Sequence, residues 1–283
     1  MKNIILAFIF CSLHLFVYGQ NLDFPDSLKT KIYIIGVVHS ENQFRNTDSL
    51  LNVLKDIKPD LILSETDTLS GYFKSDYTLV EPPKWYKMAR KIRAGRKMPP
   101  EMDILYTYLN YDSSVRIFPF DITFVNRKND LMSNNTKEKE WVAIVNKAYT
   151  DNKITSDLLP LFNLYLKYNN YYVSILNKSY SELNKNVVTD SIRFFMSLEK
   201  ELNPKLIDNL PELGILKDWQ LQNYDKWLQR NEVMAKNIIM FTENIKAKRV
   251  VVFTGLLHKY ILTDLLNSYN KEQKYELVEY FEK

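Results

Sequence analysis

Histidine is scarce in this chain, with three in 283 residues. His39 closes the stretch GVVH and His258 closes GLLH; each stands three positions after a glycine, Gly36 or Gly255, that follows an apolar, β-branched run. The third, His14, falls in a leader segment read below as removed. Three carboxylates occupy comparable places. Glu65 ends the run LILSE, Asp67 stands two residues further on, and Asp121 ends VRIFPFD. Two imidazoles with one or two carboxylates form a ligand set for a divalent ion such as Zn, Mn, Co or Fe. Without a metal the same set does general acid–base work, a carboxylate orienting a histidine. Taken singly, each residue has an ordinary use: a loop histidine as a hydrogen-bonding group, Glu65 as a partner for a lysine, Asp121 as a helix cap. Their joint position, each at the end of an apolar run, is what marks a site.

Those runs must be strands. Residues 31–38 form a buried strand, the apolar spacing of Leu50, Val53, Leu54 and Ile57 makes a helix, and 61–65 form a second strand. This is a βαβ unit with parallel pairing. VRIFPFD at 115–121 is a third strand, with Pro119 marking an edge or irregular end. KRVVVFTG is a fourth, between a long helix from about Asp218 to Lys246 and another from about Leu257. KYELVEYFE alternates like a final half-buried strand. The expected fold is α/β, with a mostly parallel sheet at its core. In such a sheet, ligands gather beyond the carboxyl ends of the strands, where all these polar residues fall. The glycines suit tight turns or close backbone approach there. On the long helix, Trp227, Met234, Ile238, Phe241 and Ile245 trace a stripe; Asn231 falls on it and Arg230 beside it. Arg230 either snorkels to solvent or points into the crevice, where its planar fork clamps a carboxylate of the site or the substrate.

Residues 125–216 differ from the rest: helical in pattern, tyrosine-rich in LYLKYNNYYVSIL and almost free of glycine. They read as a helical insertion or cap, their tyrosines serving either as core or as the aromatic wall of a groove. Residues 1–19, with Lys2, a short apolar region and Val17-Tyr18-Gly19, read as a secretory signal peptide, leaving one α/β domain over 20–283 in an exported, periplasmic or secreted protein. The only cysteine, Cys11, lies inside that leader. The mature chain is therefore expected without disulfides, thiolate metal sites or a cysteine nucleophile. It is also expected to have no stable membrane span. A formal charge of +4, with both signs interspersed, leaves no nucleic-acid footprint.

GVVH at 36–39, Glu65, RNEVMAKNI at 230–238 and VVFTGLLH at 251–258 together resemble the TraB/PrgY/GumN family, which includes the Tiki proteins and is related in fold to ChaN-like haem-binding proteins and erythromycin esterases. The resemblance covers about 31–67 and 226–268. It implies an α/β sheet whose two Gly-x-x-His elements meet at one site, and a metal-dependent hydrolase or peptidase. Its metal ligands would be His39, His258 and Glu65, with Arg230 as the helix residue. The residue pattern itself adds Gly36, Gly255 and Asn231 as supporting residues, and Asp121 or Asp67 as the partner expected to fix each imidazole. The first motif departs from the commoner Gly-Thr-x-His, lacking the threonine. A metal-free, esterase-like version with histidine as base is a variant of the same class. The alternative from another class is a non-catalytic binding protein for haem, a peptide or another small ligand, with a pseudoenzyme as a third option.

Overall fold

The computed structural model describes residues 29–40, 42–82, 99–122 and 127–282. The expected leader, with Cys11 and His14, lies outside them. The chain runs β1 (Thr30–Val37), α1 (Thr47–Ile57), β2 (Leu61–Ser64), a 3-10 turn (Thr68–Ser70), α2 (Pro100–Tyr111) and β3 (Arg116–Pro119). A helical stretch follows: α3 (Arg127–Thr150), α4 (Leu159–Ile175), α5 (Tyr180–Leu183), α6 (Asn186–Asn209), a 3-10 segment (Pro211–Leu216) and α7 (Lys217–Ile245). Then come β4 (Arg249–Gly255), α8 (Leu256–Tyr269), β5 (Tyr275–Leu277) and a last 3-10 turn (Tyr280–Glu282).

The five strands form one wholly parallel sheet in the order β3-β2-β4-β1-β5. Its strands read as continuous apolar runs because both faces are covered. Tyr33, Ile35, Val37, Ile62, Val251 and Phe253 pack against α1 and α2 on one face. Ile32, Ile34, Leu61, Leu63, Val250 and Val252 pack against α7 and α8 on the other. The α1 helix is set by its sequence: the Asn46 side chain accepts from the Ser49 N–H at 2.9 Å, and Lys58 closes the far end in the left-handed region.

Two expectations need correction. The βαβ unit at the start is parallel, but β1 and β2 do not pair; β4 sits between them. Its Val250-Val251-Val252-Phe253 core is completely buried, so it takes the central position. The final strand is only Tyr275–Leu277, paired to β1, and the chain then turns into a 3-10 segment instead of continuing to alternate. Neither Gly36 nor Gly255 supplies a left-handed turn. Close approach is what Gly36 needs: a Cβ there would lie 2.9 Å from Leu256 Cδ1 and 3.3 Å from Leu256 Cα. Pro119 does end an edge strand, as expected.

Residues 127–216 are helical throughout their regular elements. Their aromatic residues pack largely on one another: Tyr165 and Tyr172 stack on Phe195, and Tyr168 meets Phe194 edge-on. These tyrosines are half-buried or exposed, as packing residues at the rim of a helical layer. Among the described residues no helix is long and apolar enough to cross a membrane.

Asn184, just past α5, ties this helical region to the sheet. Beyond Leu277 the outer edge of β1 has no strand partner. The Asn184 side chain supplies the missing bonds, accepting from Gly36 N at 2.6 Å and donating to Gly36 O at 2.9 Å. Its backbone carbonyl accepts from the Nζ of Lys259, a buried cation also paired with Glu279 at 2.9 Å.

Candidate active site

The register of the sheet levels its carboxyl edge: Val37 pairs with Gly255, Ser64 with Phe253 and with Pro119. His39, Glu65, Asp121 and His258 leave from these ends within three residues, so they arrive at one place. His258 sits in the first turn of α8, which starts directly from β4. The centre of the site is marked by Gly255. A Cβ built there would lie within 3.6 Å of Glu65 Oε2, His258 Cδ2 and His39 Nε2 together. Glycine at this position keeps open the space the three side chains share.

Arg230 reaches into the middle from α7. Its Nε and Nη2 form a fork on Asp121 at 2.9 and 2.8 Å; Nη2 also donates to Glu65 Oε1 at 2.8 Å, and Nη1 to His258 Nε2 at 3.2 Å. A guanidinium has five N–H donors. Four are used in these contacts, leaving one N–H on Nη1 without a partner among the described residues. The carboxylate the fork clamps belongs to the site itself. Glu65 Oε2 in turn accepts from the Thr254 hydroxyl at 2.7 Å and the Gly255 N–H at 2.5 Å.

The bonding pattern fixes the His258 tautomer. Asn231 donates through Nδ2 to the Trp227 carbonyl at 2.7 Å, so its Oδ1 faces His258 Nδ1 at 2.6 Å. An amide oxygen only accepts; Nδ1 therefore carries the proton, and Nε2 offers a lone pair to Arg230. The Trp227 ring stacks on the imidazole, with centroids 4.1 Å apart. Burial pushes His258 down to about 4, with Arg230 adding to the effect and Glu65 opposing it. At neutral pH it is uncharged.

His39 is arranged oppositely. Its Nδ1 meets the Glu101 carboxylate from the first turn of α2, and its ring is more than half exposed. That hydrogen bond lifts His39 above the ordinary imidazole value, against the effect of its burial. Glu65 is held below the usual carboxylate range. Burial alone would raise it, but charge and hydrogen bonds prevail; with His258 neutral, Arg230, Gly255 N–H and Thr254 keep it ionised at neutral pH.

Of the sequence-derived site residues, His39, Glu65, Asp121, Arg230, Asn231, His258 and Gly255 converge here. Gly36 stands back from the site and acts through packing on Leu256. Asp67 is buried at the start of the 3-10 turn and bonds to neither histidine. The imidazoles are oriented by Glu101 and Asn231, not by Asp121 or Asp67, because Asp121 is taken up by the Arg230 fork. Glu101 was not legible: in PPEMD it reads as an ordinary acid in a helix first turn.

A divalent ion on His39, His258 and Glu65 does not fit this arrangement. The position facing His258 Nε2 and Glu65 Oε1 is held by a guanidinium, a cation already hydrogen-bonded to both. Among the described residues no group of three His, Cys, Asp or Glu side chains is spaced to hold a metal. With both ring nitrogens engaged, His258 has no lone pair to give a haem iron either. No family model, no curated protein and no solved structure matches the chain.

Proposed function

We propose that this chain is a metal-free hydrolase of neutral acyl compounds, esters or amides, in which His39 is the base. The observation that carries the reading is the opposed setting of the two histidines. One is raised and reaches solvent, the other is lowered and locked as a neutral tautomer, and both flank an ionised glutamate and an arginine with a spare N–H. Pairs of groups whose surroundings drive their pKa values apart are the usual sign of acid–base roles. The arrangement is also the esterase-like variant of the TraB/PrgY/GumN resemblance, which remains part of this proposal.

In the proposed reaction, water lies in the space beside Gly255, between His39 Nε2 and Glu65. His39, held through Nδ1 by Glu101, takes a proton from that water as its oxygen bonds to the substrate carbonyl carbon. The carbonyl oxygen becomes an anion and accepts the spare Nη1–H of Arg230. The tetrahedral adduct then collapses: the C–O or C–N bond breaks, and the leaving group takes the proton back from His39. His258 accepts from Arg230 and keeps Nη1 aimed; Asp121 and Glu65 hold the other side of the fork. Because two carboxylates already neutralise Arg230, an anionic substrate gains little here, which favours a neutral one.

The test is hydrolysis of a panel of p-nitrophenyl esters, lactones and amides by the protein from Gln20 onward, with and without a chelator. Turnover that survives EDTA and disappears in His39→Ala is expected. Activity abolished by EDTA and restored by a divalent ion would refute the metal-free reading.

A further inference from the structure

Beyond Asp121, on the same edge of the sheet, lies a cavity of about 240 Å³. We infer that it is a binding subsite for an uncharged, apolar group of the substrate, continuous with the reaction site through Asp121 and α7. The inference rests on the hydrolase reading for what the bound group is attached to, but its geometry is independent of that reading.

The apolar walls come from Tyr77, Val233, Met240 and Phe241; Thr68 and Asn237 are the polar side chains of the lining, and Asp121 borders it from within the Arg230 fork. Tyr77, Val233 and Met240 are large and well exposed, at 45 %, 37 % and 43 %. Exposed apolar residues scattered singly need no explanation, but three around one cavity beside a polar site do. Tyr77 sits at φ 64°, in the left-handed region that a bulky side chain rarely enters. There its ring meets Phe241 edge-on at 5.6 Å, and Phe241 stacks on Phe118 at 5.1 Å. The position closes a tight turn, with Tyr77 N–H donating to the Lys74 carbonyl at 2.9 Å, and the turn fixes the ring at the cavity wall.

Continuity comes from the helix. Arg230, Val233, Asn237 and Phe241 follow one another at spacings of three and four, on one face of α7. Arg230 and Asn237 are separated by about 10 Å along the axis, at 1.5 Å per residue. Asp121 belongs to both places: it lines the cavity and holds the Arg230 fork. A substrate whose carbonyl lies at Arg230 therefore reaches the cavity with a chain of several carbons.

The polar groups determine what the occupant carries. Asn237 donates through Nδ2 to the Phe120 carbonyl at 2.9 Å, so its Oδ1 is the end left to meet a ligand. The Asp121 carboxylate beside it has no exposed side-chain surface and is taken up by the Arg230 fork. None of the residues lining the cavity is cationic, so a carboxylate or phosphate finds no charge to pair with, while the apolar walls admit an alkyl or aryl group.

Two readouts test this. The first needs no turnover: the Met240 methyl signal, followed by NMR in protein labelled at methionine methyl groups, during titration with octanamide and with acetamide. A saturable shift with octanamide alone, lost in Val233→Trp, is expected. The second compares p-nitrophenyl acetate, butanoate, hexanoate and octanoate. Here kcat/KM should rise by about threefold to fourfold per added methylene until the cavity is full. Val233→Trp and Met240→Trp should flatten that series while acetate turnover stays unchanged. No Met240 shift, a shift unchanged in Val233→Trp, a shift that follows protein concentration instead of octanamide, or a series flat in the unaltered protein would overturn the inference. A Met240 shift without hydrolysis of any ester would leave the subsite standing and remove the hydrolase reading.

Discussion

Replacing Arg230 with methionine tests the site most directly. The variant keeps much of the side-chain volume but leaves Asp121 and Glu65 facing each other without their shared cation. The Arg230 side chain is 18 % exposed, Glu65 10 % and Asp121 0 %, so solvent screens little of the interaction. Breaking a buried pair by removing one partner costs about 3–5 kcal/mol. For a chain of this size that corresponds to a Tm lower by about 10 °C. The pH dependence is the discriminating part. In the unaltered protein the depressed Glu65 contributes stability that is present above its ordinary 4.5 and lost as pH falls through its lower folded value. In Arg230→Met the buried Glu65 loses its cation, its folded pKa rises above the unfolded one, and the folded state gains a proton as pH falls. The gap between the two proteins should therefore be widest near pH 7 and narrow towards pH 4, in urea unfolding followed by circular dichroism. Asp121→Asn added to Arg230→Met should restore part of the loss. Equal stability at pH 7, or a gap that does not change with pH, would refute the idea that this arginine is the cation of a buried network.

Other outcomes follow from the same geometry. Since His39 must be unprotonated to act as base and its pKa is raised, kcat/KM should increase with pH through a value above the ordinary 6.5; Glu101→Gln should move that limb to lower pH and reduce kcat. Gly255→Ala places a methyl group 3.4–3.6 Å from Glu65, His258 and His39, so the fold should tolerate it while turnover falls sharply, as kinetics and a melting curve together will show. Asn231→Leu leaves the His258 Nδ1–H buried without an acceptor, a cost of about 1–3 kcal/mol in denaturant unfolding. Asn184→Ala unpairs both backbone groups of Gly36 and should destabilise by more than Asn231→Leu.

What could be read from the residues was whatever a parallel sheet writes into its own strands. Ile32 to Val37 and Val250 to Phe253 are apolar without interruption because both faces are covered, so the imidazole or carboxylate that follows each run within a few residues marks the carboxyl edge. That placed His39, Glu65, Asp121 and His258 together. Asn231 stood out because a helix stripe otherwise apolar carries it, and Arg230 because it flanks that stripe. The order of the strands was not legible, since a parallel strand's hydrogen-bond partners leave no local signal, and β4 slipped between β1 and β2. Glu101 and Asn184 stayed hidden for a related reason. Each acts across a distance, 62 residues for Glu101 to His39 and 148 for Asn184 to Gly36, and each belongs to a residue type common in its surroundings.

The place of β4 at the centre of the sheet also governs how the molecule comes into being. Lys31 pairs with Arg249 and Leu61 with Val250, so β1 and β2 both wait for a partner made near the end of synthesis. Until then a nascent chain holds β2 beside β3, while β1 has neither neighbour, since β5 comes later still. Long-range parallel pairing is slow to form and exposes strand edges in the meantime. The strand that ends this waiting carries Gly255, with His258 three residues beyond it. A chain stopped before residue 249 therefore lacks both the centre of its sheet and His258, and in the completed protein one strand and the helix it leads into supply the two.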